Sequence, residues 1–193
     1  MANIEKENRI RIQKEKALCY ILRHNPKEYN IELDCDGFAL VTDIYRSLSA
    51  YGVDEIDIIG MGSEVGGRLE LNFDRTMIRA KYGHSINLDF KYKESTINGL
   101  IFHGTKSRHI DSIAQSGILS GNRQFVHLYS DLDKAWKKAS RFIGNQTSVI
   151  EVDVMQLRNN GLSVYEADKD VILVKYVPSS CIKSILTNHN YNF

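Results

Sequence analysis

Four short stretches of this 193-residue chain set arginine and histidine beside glycine or proline. Leu22-Arg23-His24-Asn25-Pro26 comes first, then Arg79-Ala80-Lys81-Tyr82-Gly83-His84-Ser85. His103-Gly104-Thr105 and Arg123-Gln124-Phe125-Val126-His127-Leu128 follow. Arginine forks offer paired, permanently charged donors, which is what a phosphate group calls for. Histidine titrates near neutrality and can donate, accept or move a proton. Gly83 allows close backbone approach, and His84 and Ser85 add donors beside it. A His-Gly-Thr between a strand and a helix would aim backbone N–H groups and a helix N-terminus at an anionic ligand such as a dinucleotide. Each piece also has a plain structural reading. Arg23 and His24 suit a helix C-terminus, Arg79 a hairpin surface, His103-Gly104-Thr105 an ordinary turn, and His127 a satisfied core histidine. In this order, however, they supply three arginines and several imidazoles for gripping a phosphate.

Other chemistries find no foothold. There is no G-x-G-x-x-G and no G-x-x-x-x-G-K-[ST], so neither of the common nucleotide loops is available. G-x-S-x-G and H-E-x-x-H are also missing. Cys19, Cys35 and Cys181 are odd in number and lack C-x-x-C spacing, which argues against a disulfide framework and a structural zinc site. No metal is expected. Lys+Arg 25 against Asp+Glu 24 leaves a formal charge of +1. A protein that coats long stretches of nucleic acid shows a clear basic excess, so if this chain binds nucleic acid its basic groups must converge locally. Hydrophobic content of 42% and charged content of 25% describe an ordinary soluble globular protein. No apolar run approaches ~20 residues, so no membrane partner is expected. The first residues lack the apolar core of a signal peptide, and the expected address is cytoplasmic.

The elements that must position these groups can be read from periodicity. A first helix is expected from about Lys6 to Leu22, with Ala17, Leu18, Ile21 and Leu22 as its apolar stripe, ending before Pro26. Asp34-Cys35-Asp36-Gly37 is a turn, and Phe38 to Leu40 a short strand. Thr42 and Asp43 can cap a second helix that carries Ile44, Leu48 and Tyr51 and stops at Gly52. Asp54 to Met61 reads as a third helix, and Arg68–Asn72 with Thr76–Ala80 as a hairpin. Three helices and a hairpin make a winged-helix-like lobe. Asp89 to Asn98 reads as a polar connector. Beyond it, a strand through Leu100-Ile101-Phe102 leads into His103-Gly104-Thr105. Ser107–Ser116 is a helix with Ile110, Ile113 and Ala114 inward and Gly117 as its stop. Phe125–Tyr129 is a strand with Phe125 and His127 on one face. Asp131–Ile143 is a helix around Trp136 with a solvated basic face. Strands follow at Ser148–Val154, Ser163–Glu166, Val171–Val177 and Cys181–Leu186. Short helices between strands that need not run parallel make an α+β chain.

With these motifs in place, the chain resembles the RNA 2′-phosphotransferase family. The resemblance rests on Leu22-Arg23-His24-Asn25-Pro26, Leu33-Asp34-x-x-Gly37-Phe38 and Ile78-Arg79-Ala80-x-x-Gly83-His84-Ser85. It continues through Phe102-His103-Gly104-Thr105, Ile113-x-x-x-Gly117-Ile118 and Arg123-x-x-Val126-His127-Leu128, covering about residues 15 to 185. The chain departs from the family at Phe38, where Trp is common, at Tyr82, where Gln is common, and at Tyr129, where Ser is common. Lys169-Asp170-Val171 stands where the family has Asn-Gly-Val, so the contacts of Ser130 and Asp170 are left open.

The resemblance implies an N-terminal winged-helix-like lobe over 1–92 and a C-terminal ADP-ribosyltransferase-like lobe over 93–193. It implies an enzyme that consumes NAD to remove an internal 2′-phosphate from RNA, with tRNA a possible substrate; a monomer is expected. It maps the catalytic set onto Arg23, His24, Arg79 and Arg123, with His84 and Ser85 beside the phosphate. His103, Gly104, Thr105, Gly117 and His127 fall on the NAD side. Two rival readings remain: an ADP-ribosyltransferase that stops after one step on a nucleic-acid phosphate end or a protein, and a non-catalytic RNA-binding winged-helix protein.

Overall fold

The computed structural model describes residues 2–141 and 146–187. It divides into two compact units, Met1–Lys91 and Tyr92–Phe193. In the first, α1 (Ala2–His24) begins earlier than expected and ends where Pro26 requires, with Asn25 closing the last turn onto the Ile21 carbonyl at 3.0 Å. Its buried face carries Leu18, Cys19, Ile21 and Leu22; Ala17 is exposed, so Cys19 takes the place expected for it. Asp34 then shapes a turn, its Oδ1 accepting from the N–H groups of Asp36 and Phe38 at 3.0 and 2.8 Å.

β1 (Ala39–Leu40) leads directly into α2 (Val41–Leu48). Thr42 and Asp43 do not cap this helix. It starts at Val41, ahead of both, and the Val41 N–H is taken by the Thr76 carbonyl at 2.9 Å, so a neighbouring segment does the capping. α3 (Glu55–Gly62) has the expected start: Asp54 and Asp57 exchange side-chain and backbone bonds in a capping box. β2 (Leu69–Leu71) and β3 (Met77–Ala80) form the hairpin, and β1 adds to it in the order β1-β3-β2. Along β3, Ile78 and Ala80 enter the core while Arg79 takes the other face, opposite Glu70. Leu18, Leu22, Ile31, Ile44, Ile58, Leu69 and Ile78 fill the core between helices and sheet.

The second unit contains β4 (Lys93–Glu94), β5 (Leu100–Lys106), α4 (Ile110–Ser116), β6 (Val126–Tyr129) and α5 (Leu132–Ala139). After them come β7 (Thr147–Asp153), α6 (Val154–Asn159), β8 (Tyr165–Asp168), β9 (Val171–Val174) and β10 (Ile182–Thr187). The strands make one sheet in the order β10-β7-β5-β6-β9-β8-β4, antiparallel at every described pairing. Helices and antiparallel sheets together agree with the α+β expectation. α5 covers one face through Ala135, Trp136 and Ala139 against Val149; Ile101, Leu128, Ile150, Leu157 and Val174 pack on the other.

Several elements differ from the sequence reading. The expected connector contains a strand, because Lys93 and Glu94 pair with Glu166 and Tyr165. α6 was not anticipated; Asp153 caps it by accepting from the Gln156 N–H at 3.1 Å. Ala114 is exposed rather than inward. β9 ends at Val174, and Val177 instead pairs alone with Ile118. α5 ends at Ala139, short of the expected end at Ile143, a residue that itself lies outside the described ones.

Candidate active site

The C-terminus of α1 carries the first pair. Arg23 and His24 occupy its last turn, where cations face the partial negative charge of carbonyls left without a partner inside the helix. One of those carbonyls, that of Arg23, accepts from the Ser85 N–H at 3.0 Å, and His24 Nδ1 hydrogen-bonds the Ser85 hydroxyl at 2.8 Å. The segment after β3 is thereby stitched to the helix end. The Arg23 guanidinium carbon lies 5.2 Å from the centre of the Tyr82 ring.

Arg79 is held more tightly. Its guanidinium carbon lies 4.4 Å from the Phe38 ring centre and 4.5 Å from that of Phe90. Nε donates to Glu70 Oε1 at 2.5 Å and Nη1 to the Asp36 carbonyl at 3.0 Å. Two aromatic faces and two acceptors fix the fork in one plane. Phe38 supplies one of those faces.

His84 lies inside this group. It is 2% exposed, and neither ring nitrogen has a hydrogen-bond partner. Its ring lies 5.4 Å from that of Phe90. Burial first, and then the charges of Arg23, His24 and Arg79, push its pKa down to about 3. The imidazole is therefore neutral at ordinary pH, and it sits among cations with unused donor and acceptor capacity.

In the second unit the chemistry gathers where β5 and β6 meet. They share a single register pair, Phe102 with Tyr129. Beyond it, the His127 carbonyl receives the His103 side chain: Nδ1 donates to it at 2.9 Å. This bond fixes the His103 tautomer, with the proton on Nδ1 and a lone pair on Nε2. Desolvation lowers its pKa against the raising effect of that bond, and Lys138 and Arg123 lower it further. Arg123 Nη1 lies 3.5 Å from His127 Nδ1, at the long end of hydrogen bonding. Phe125, beside them on β6's leading edge, meets Tyr92 and Tyr165 edge-on at 5.5 and 5.8 Å, with Lys175 Nζ 4.2 Å from its ring centre.

His103-Gly104-Thr105 is not the turn the sequence reading expected. All three residues lie within β5, paired with Ile150, Val149 and Ser148. Gly104 is small because α5 crosses it: a Cβ there would sit 2.4 Å from the Ala135 carbonyl oxygen. Since side chains alternate along a strand, His103 projects to the face away from α5. Thr105 is buried. Gly117 does end α4 as expected; its φ of +75° is left-handed, and a Cβ would sit 2.1 Å from the Val177 carbonyl oxygen. The Ser130 N–H donates to the Asp170 carbonyl at 3.3 Å, and Asp170 pairs with Lys134.

The structure thus brings Arg23, His24, Arg79, His84 and Ser85 together in the first unit, and His103, Arg123 and His127 together in the second. Sequence reasoning missed Phe38, Phe90, Tyr82, Glu70 and Asp36, which hold the arginines. For Glu70 a signal existed: it faces Arg79 across a predicted hairpin.

Residues 9–176 match the model of the RNA 2′-phosphotransferase, Tpt1 / KptA family. A relative from Thermococcus kodakarensis is 33% identical over 174 residues, 86% of this chain and 93% of its own length. One from Aeropyrum pernix is 36% identical over 180 residues, 91% of this chain and 80% of its own. One from Fusobacterium nucleatum is 34% identical over 172 residues, 87% of this chain and 95% of its own. Each is described as a probable RNA 2′-phosphotransferase.

Proposed function

The chain belongs to the RNA 2′-phosphotransferase family, and on that premise we propose that it removes an internal 2′-phosphate from RNA by transferring it to NAD. The observation that carries the reading is the neutral, unsatisfied His84 enclosed by Arg23, His24 and Arg79. A phosphomonoester brings about −1.5 to −2 charge and three acceptor oxygens near neutral pH. Three cationic or potentially cationic groups and a neutral donor among them match that demand.

In this reading 1–92 is a winged-helix-like phosphate-binding lobe and 93–193 an ADP-ribosyltransferase-like lobe. The order helix, strand, helix, helix, hairpin with a three-stranded sheet supports the first assignment. The divergence of β5 and β6 beyond a single pair, with histidines at the gap, supports the second. His103 and His127 make up the NAD side, while Gly104 and Gly117 serve it only through the packing of α5 and of the Val177 segment. His103 serves there as a hydrogen-bond acceptor through Nε2, suited to a ribose hydroxyl. His127 and Arg123 flank it.

The reaction runs in two transfers. An oxygen of the RNA 2′-phosphate attacks the anomeric carbon of the nicotinamide ribose; the C–N bond breaks and nicotinamide leaves with the electron pair. The phosphate is already an anionic nucleophile, so no strong base is required. The ribose 2″-hydroxyl then attacks phosphorus, and the bond to the RNA 2′-oxygen breaks. That oxygen takes up a proton, and ADP-ribose 1″,2″-cyclic phosphate departs. Charge concentrates on the phosphorus oxygens in the second transfer, where fixed donors contribute most. Arg23, Arg79 and Arg123 act as clamps, since guanidinium does not release its proton. His24, tied to Ser85, is the member of the catalytic set able to move one.

The test is incubation with a 2′-phosphorylated oligonucleotide, with and without NAD and with a chelator. Loss of the 2′-phosphate with NAD alone, insensitive to chelator, is expected. Accumulation of an ADP-ribosylated RNA that never resolves would identify the one-step transferase, and binding without chemistry the non-catalytic reading.

A further inference from the structure

One exposed aromatic beside the phosphate-gripping residues has no place in the core. Tyr20 is 52% exposed on α1, one helical turn before His24, while Leu18, Cys19, Ile21 and Leu22 take the buried face. Packing therefore does not account for where its ring stands. The ring is nonetheless held: its centre lies 5.2 Å from that of His24, tilted by 52°. The Asn25 side-chain amide donates to its hydroxyl at 3.3 Å and to Glu28 at 3.2 Å. A large, pre-positioned π-system is thus half open to solvent next to the imidazole that, in the proposed function, meets the 2′-phosphate.

The chemistry of the substrate class brings a second flat group to that place. In a 2′-phosphorylated nucleotide the phosphate-bearing oxygen and the base sit on adjacent ribose carbons. A phosphate seated on Arg23 and His24 leaves the attached base within one side chain's reach of His24, which is where Tyr20 stands. We propose that Tyr20 is the platform on which the base of the 2′-phosphorylated nucleotide stacks. This rests on the function proposed above and adds a binding residue to it. Stacking recognises the π-face that every base has, so the contact holds the nucleotide without choosing among bases. The ring is already fixed by His24 and Asn25, so little side-chain freedom is lost on binding.

The experiment is a double-mutant cycle between protein and RNA. Wild type, Tyr20→Ala and Tyr20→Phe are each given two oligonucleotides, identical except that the 2′-phosphorylated nucleotide carries a base in one and is abasic in the other. Wild type is expected to lose about 5- to 20-fold in kcat/KM on the abasic substrate. Tyr20→Ala should show that loss on the normal substrate and no further loss on the abasic one. Tyr20→Phe should stay much closer to wild type than to Tyr20→Ala, because the ring makes the contact and His24 still holds it when the Asn25 bond is lost. Equal losses for Tyr20→Ala on both substrates, wild-type indifference to the base, or a Phe variant as poor as Ala would each overturn the proposal. Equilibrium binding of the same oligonucleotides without NAD gives the same cycle independently of turnover. A cycle that couples in binding while wild type leaves the 2′-phosphate in place would fault the proposed reaction and leave the stacking contact standing.

Discussion

Replacing Arg79 by alanine removes a guanidinium held between two rings, a carboxylate and a carbonyl. Two cation–π contacts near the surface contribute about 0.5–1 kcal/mol each. The Glu70 pair, with side chains 22% and 36% exposed, adds about 0–1 kcal/mol after screening. The stability cost is thus on the order of 1–3 kcal/mol, below the ~5–15 kcal/mol of a typical domain. The chemical cost is larger. Loss of one pre-positioned donor to a charge-bearing transition state is worth roughly 2.7–4 kcal/mol, or 10²- to 10³-fold in rate. Rapid-quench gels on a labelled 2′-phosphorylated oligonucleotide separate starting RNA, ADP-ribosylated intermediate and 2′-hydroxyl product. Arg79→Ala should slow the second transfer by that factor and accumulate the intermediate. Arg79→Lys should recover little, since an ammonium neither spans two oxygens nor stacks between Phe38 and Phe90. Near-wild-type turnover of the Ala variant, or full rescue by Lys, would show that Arg79 is a structural arginine.

Arg123→Ala is likewise expected to accumulate the intermediate, whereas His103→Ala should accumulate unreacted 2′-phospho-RNA; the same gels would reveal a reversed pattern. His84 gives a pH dependence. Its folded pKa of about 3 lies below the ordinary 6.5, so as pH falls the unfolded chain takes up a proton that the folded chain refuses. Between pH 8 and 5 wild type should lose about 2 kcal/mol of stability more than His84→Gln in denaturant titrations, and parallel curves would contradict the burial argument. Gly104→Ala places a methyl 2.4 Å from the Ala135 carbonyl oxygen and must displace α5. It should cost on the order of 3 kcal/mol in thermal unfolding, and an unchanged midpoint would refute the close crossing.

The order of elements was legible where local rules dominate. Pro26 ends α1, Asp54 starts α3, Gly117 stops α4, and alternation sets the faces of β3 and β6. What failed was set by partners distant in sequence. The Val41 N–H is capped from Thr76, Lys93 and Glu94 become a strand because β8 offers an edge, and α5 makes Gly104 a packing glycine. The same holds for the site. Arg23, His24, Arg79, His84 and Ser85 were picked out by type and spacing. The cage around Arg79, from Phe38, Glu70 and Phe90, exists only once β1, β2, β3 and the segment after them are folded. His103's tautomer could not be read from sequence either, because it depends on a carbonyl twenty-four residues away.

Product tracing tests the central claim most directly. With isotope in the RNA 2′-phosphate, mass spectrometry should find the label in a cyclic phosphate of ADP-ribose, matched one to one by nicotinamide and by RNA bearing a free 2′-hydroxyl. Label appearing as inorganic phosphate, with NAD unconsumed, would contradict the account.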